Sequence, residues 1–78
     1  MDRLSMAIAL IQEAQEEKKR LAEYNAALEE VPPYDHQYHW KALNEVYEKF
    51  SPTPKKSVIN DNLKMARRLL IAEYVREV

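Results

Sequence analysis

The sequence predicts an all-α protein, a long N-terminal helix followed by two shorter ones, arranged as a helical hairpin or three-helix bundle and completed by self-association. Three observations carry this. Glycine is absent from all 78 residues, which removes the residue that makes left-handed turns and tight hairpins cheap and disfavours sheet topologies. The four prolines fall in two clusters, Pro32-Pro33 and Pro52/Pro54, and proline cannot continue a helix interior, so the chain is cut into three pieces. Within each piece, apolar residues recur at helical spacing.

The first piece, 3–30, is rich in Ala, Leu, Glu, Gln and Lys, the strongest helix formers. Leu4, Ala7, Ile11, Ala14, Leu21, Asn25 and Leu28 form one stripe with the spacing of a seam against another helix. At about 1.5 Å per residue this helix is about 40 Å long. It exceeds both successors, so one end must overhang or meet a second chain, and an antiparallel pairing is expected. Lys18 and Asn25 interrupt the stripe seven residues apart, and polar residues in a seam fix register and partner number. If the helix end overhangs, both are instead solvated, with the lysine stem lying along the seam.

The second helix is expected over 36–50, capped by Asp35 after the Pro-Pro-Tyr turn. Trp40, Leu43, Val46, Tyr47 and Phe50 recur at three and four and are expected to plug the core. The third helix is expected over 55–76. Ser51-Pro52 and Thr53-Pro54 each offer a start, which leaves its first residue open by about four positions. Val58, Ile59, Leu63, Ala66, Leu69 and Leu70 face inward on a projection, and Asn60, Asp61, Lys64, Arg67 and Arg68 face outward.

That helix contradicts its own pattern near its end. Ile71 and Val75 land on the face that Lys64, Arg67 and Arg68 made polar, while Glu73, Arg76 and Glu77 land where the apolar stripe had been. A continuous helix apolar on two sides is buried on two sides, so residues 69–78 are expected to contact a second partner. A bend or fraying after Leu70 would instead leave Val75 as a merely exposed valine.

Seventy-eight residues make one domain, 1–78, and a domain this small buries only about 60% of its unfolded surface. With no cysteine, disulfides and thiolate metal sites are closed, and burial against a partner is the likeliest remaining source of stability. A soluble cytoplasmic chain is expected. No apolar run approaches the roughly 20 residues that span a bilayer, and Leu4 to Ile11 lacks the flanks of a secretory leader. Charge is uneven: 1–50 carries six basic and ten acidic residues, 51–78 six basic and three acidic. Such a distribution suits an anionic partner at the basic end or head-to-tail association of copies.

Chemistry is sparse. Asp35, His36 and His39 lie within one turn, but a structural metal needs four ligands and no further His or Cys is near, so an N-cap beside two partly exposed histidines is the expected role. Without glycine there is neither a nucleophile elbow nor a phosphate-cradling loop. No catalytic residue, metal or cofactor is expected. Tyr34, Tyr38 and Trp40 are read as packing a turn and core rather than stacking bases.

Two functions remain. The first is a protein interaction module, an accessory or regulatory subunit acting by helix-face docking and self-association. Its contacts are Ile71, Tyr74 and Val75, rimmed by Arg67 and Arg68, with Lys18 and Asn25 in the first seam. The alternative is a nucleic-acid-binding regulator using Lys55, Lys56, Asn60, Lys64, Arg67 and Arg68, with Asn62 as a further base-reading type. Against that alternative stand the twice-proline linker, too long for a helix-turn-helix, and the net charge of −1.

Overall fold

The computed structural model describes residues 2–77, with the side chains of 76 and 77 left aside. It contains three helices, α1 (Arg3–Glu29), α2 (His39–Lys49) and α3 (Lys56–Glu77), and no strand among the described residues.

α1 starts where Asp2, in extended backbone, accepts a 2.7 Å hydrogen bond on Oδ1 from the Ser5 N–H, satisfying one of the orphan donors of the first turn. At its other end no glycine is present to close a left-handed cap, and Glu30 stays right-handed at φ −82°. The last carbonyls are met instead by tightened turns, with Glu30 N–H donating to Ala27 and Val31 N–H to Leu28.

α2 begins later than the sequence suggests. Asp35 does not cap it, and Tyr38 occupies the cap position without a side-chain bond. The reason lies in the intervening turns. The His36 N–H donates to the Pro33 carbonyl at 2.9 Å and the His39 N–H to the His36 carbonyl at 3.1 Å. In addition, His36 Nδ1 accepts from the Tyr38 N–H at 3.1 Å, so 34–38 has its own bonding and forms turns rather than helix. α3 starts at Lys56, after both Ser-Pro and Thr-Pro pairs, and runs unbroken to Glu77 without the bend that would have isolated Val75.

α1 and α3 pack antiparallel. Glu13 Oε2 of α1 meets Asn62 Nδ2 of α3 at 3.4 Å, and nearer the far end of α1 Arg20 reaches the linker carbonyl of Pro52. α2 packs only on the C-terminal overhang of α1, and α2 and α3 do not touch among the described residues. The bundle is therefore open, with α2 and α3 laid end to end along one side of α1. Its Cα atoms span 63 × 18 × 12 Å, the thickness of a single layer of helices.

The seam explains the small core. Ala7 and Ala14 of α1 and Ile59 and Ala66 of α3 are buried, while no large side chain is fully buried. Small residues allow two helices to approach closely, which leaves most of the larger side chains to the flanks of the seam. Ile11, Leu21, Leu28 and Leu69 are consequently half-buried. Leu4, Val58, Leu63 and Leu70, read from the sequence as inward, lie exposed on the flanks.

The expected core plug of α2 is likewise reduced to one residue. Phe50, 5% exposed, fills the corner where α2, the linker and α1 meet, edge-on to Tyr24 at 5.5 Å. Trp40 and Tyr47 are exposed, Trp40 at 57%, because α1 covers only the Ala42/Val46 edge of α2. Trp40 packs instead against Tyr34 (5.8 Å) and His39 (5.0 Å) over the turn.

Candidate functional site

The open layer has two unlike broad faces. On one, an open groove of about 490 Å³ runs between α1 and α3, with Lys18, Leu21 and Asn25 on one wall and Lys56, Asn60 and Leu63 on the other. On the opposite face a shallower hollow of about 220 Å³ lies among Glu13, Glu16, Glu17, Arg20, Val58 and Asn62. Lys18 and Asn25 thus line a groove edge and are exposed; they are not locked in the seam.

The groove fixes which flanks share a face. At 100° per residue, Leu4, Ile8 and Ile11 fall on the flank of α1 that holds Lys18. Leu63, Leu70 and Tyr74 fall on the flank of α3 that holds Lys56; Ile71 lies further round, beyond Arg67 and in line with Lys64, at the outer edge of that face. Since Lys18 and Lys56 line one groove, these flanks form one surface. The antiparallel pairing brings the start of α1 beside the end of α3, so Leu4, Ile8, Leu70, Ile71 and Tyr74 gather at one end. Ile71 is 53% exposed and Tyr74 70%. Arg67 lies at the margin of this patch. Val75 and Arg68 are exposed too, but on the side of α3 facing away from α1, and Lys64 lies beside the line of Ile71 at the outer edge of the face.

The helical continuity of 69–77 retains the expected double-sided pattern. Glu73 is half-buried over the inner stripe; the corresponding expectation for Arg76 and Glu77 falls outside the described side chains. Leu4, Ile8, Leu63 and Leu70 are the patch members that sequence reasoning missed or turned inward. Their signal was the run of alanines, Ala7, Ala14 and Ala66, at seam positions, which lets the helices approach closely and leaves their large neighbours on the flanks.

No protein family model, characterised protein or solved structure matches the chain. The site is therefore read from its own geometry.

Among the described residues no group of three or more His, Cys, Asp or Glu side chains is placed to hold a metal ion. His36 and His39 serve the turn: His39 Nδ1 lies 2.8 Å from the Pro32 carbonyl, which can only accept, so this nitrogen donates. The sole ion pair among the described residues is Arg20–Glu17 at 2.8 Å, and the same guanidinium donates to the Pro52 carbonyl at 2.6 Å. Lys55, Lys56, Asn60, Lys64, Arg67 and Arg68 are all exposed, and none of the five cations is paired there. Nor is any helix of the described residues long and apolar enough to cross a membrane.

Proposed function

We propose that this chain is a small cytoplasmic protein interaction module, an accessory or regulatory subunit that works by docking a helix face rather than by catalysis. The observation that carries the reading is the patch at the α1 start and α3 end, where Ile71, Tyr74, Leu70, Ile8 and Leu4 lie exposed together on one face. Scattered apolar residues on a surface are ordinary, whereas a contiguous patch marks an interaction site. Aromatic and aliphatic anchors with an arginine margin, here Tyr74, Ile71 and Arg67, are the composition of an interface centre.

The test is the mass of the particle containing the chain, by native mass spectrometry from an extract of its producing cells and of the purified protein. The wild-type chain is expected in a larger assembly, and Ile71→Asp is expected to return it to 9.2 kDa. A 9.2 kDa monomer in both extract and purified samples overturns the reading.

The unpaired cations of α3 favour a second reading, nucleic-acid binding. Lys64, Arg67 and Arg68 changed together to Ala should then abolish a mobility shift whose affinity falls steeply with salt. No shift at low salt with DNA or RNA disposes of it.

A further inference from the structure

We infer that the occupant of the apolar face is a second copy of this chain, packed face to face on α1 and α3 about a two-fold axis. The inference rests on the interaction-module reading and adds the identity of the partner.

The surface area points this way first. A folded monomer of 9.2 kDa exposes about 4,900 Å², and this chain exposes 6418 Å². The surplus of about 1,500 Å² exceeds the roughly 800 Å² that a standard interface takes from each partner and suits the larger contact of an obligate homodimer. Shape points the same way. Stable domains are built of at least two packed layers, and a body 12 Å thick in Cα atoms is one layer of helices. A second copy laid on the α1/α3 face turns two helices into four and supplies the missing layer.

The placement of residues selects a closed pair over other modes of association. Leu4, Ile8, Leu63, Leu70, Ile71 and Tyr74 are exposed on one face, so a two-fold operation sets the same apolar patch against itself. The opposite face, with Glu13, Glu16 and Glu17, stays in water.

Sedimentation equilibrium on the purified full chain, with native mass spectrometry of the extract beside it, tests this. The expected result is a concentration-dependent dimer of twice the 9.2 kDa chain mass. Ile8→Asp and Ile71→Asp should each weaken it at least about 100-fold, since every dimer would bury two unpaired carboxylates. Circular dichroism checks that helicity is retained. Should either Asp variant unfold, Tyr74→Ala, at the most exposed patch residue, is expected to weaken the dimer about tenfold or more. Trp40→Ala at the far end and Met65→Asp on the opposite flank should leave the dimer intact.

A purified monomer alongside a larger assembly in the extract overturns the second-copy proposal and leaves the interaction module standing. A monomer in both overturns both. A dimer broken by Met65→Asp but not by Ile71→Asp, or a mass that climbs without limit as concentration rises, also overturns the proposed pair.

Discussion

Arg20 joins α1 to the linker with one planar group. Its guanidinium pairs with Glu17 in the preceding turn and donates to the Pro52 carbonyl, fastening the proline linker to α1. Both contacts are partly open to water, so their net worth is modest. Arg20→Ala is expected to lower unfolding stability by about 1 kcal/mol in a urea titration. Arg20→Lys should recover only part of it, because a single ammonium does not reproduce a fork holding two acceptors. Asp2 acts at the same scale. The Ser5 N–H, with a smaller contribution from the Ser5 hydroxyl, holds the Asp2 carboxyl below its ordinary value. A carboxyl depressed in the folded state contributes above its unfolded value and loses that contribution as pH falls through the folded one. Fraying of the α1 start on acidification, followed by amide NMR of residues 3–6, should therefore track Asp2. Asp2→Asn, an equally good cap, should remove that pH dependence while keeping the helix start.

The alanine seam defines what each helix can tolerate. Ala14 is 2% exposed in the seam against α3. Ala14→Leu is expected to cost about 1–3 kcal/mol by overpacking, read as a lower urea midpoint. Ala9→Leu, on the exposed back of α1, should change stability by no more than about 0.5 kcal/mol. The same seam explains which elements were legible beforehand. α1 and α3 were plain from the proline boundaries and helical periodicity, and their limits fall within one residue of expectation. Side-chain hydropathy, however, nominates the largest residues as core, and here the buried positions are mostly alanines. Leu63 and Leu70 were misread for that reason. The start of α2 was misread because Asp35 is a good cap by type, whereas the bonds among Pro33, His36 and Tyr38 are particular to this turn.

At the scale of the whole molecule, α2 and α3 communicate only through α1 and the linker. Part of the candidate site was named from the sequence: the shift in pattern after Arg68 singled out Ile71 and Val75, with Tyr74 expected as a further contact, and of these Val75 lies on the side facing away from α1. The rest was not, because Leu4 and Ile8 join Ile71 and Tyr74 only once the antiparallel register sets the start of α1 beside the end of α3. If a second copy completes the fold, stability is inseparable from concentration. The thermal midpoint of the wild-type chain should rise measurably across a hundredfold increase in protein concentration. Ile71→Asp should unfold at a lower temperature that no longer depends on concentration.

The exposed Trp40 turns this geometry into an optical property. It is the chain's one tryptophan, and it sits beside Tyr34 and His39 over the α2 turn, at the end of a 63 Å body opposite Ile71 and Tyr74. Its fluorescence therefore reports the turn and the docking of α2 while staying blind to whatever covers the far end. Quenching by iodide should be the same for the free and the associated chain, and tyrosine absorption in the near ultraviolet is where association would be seen.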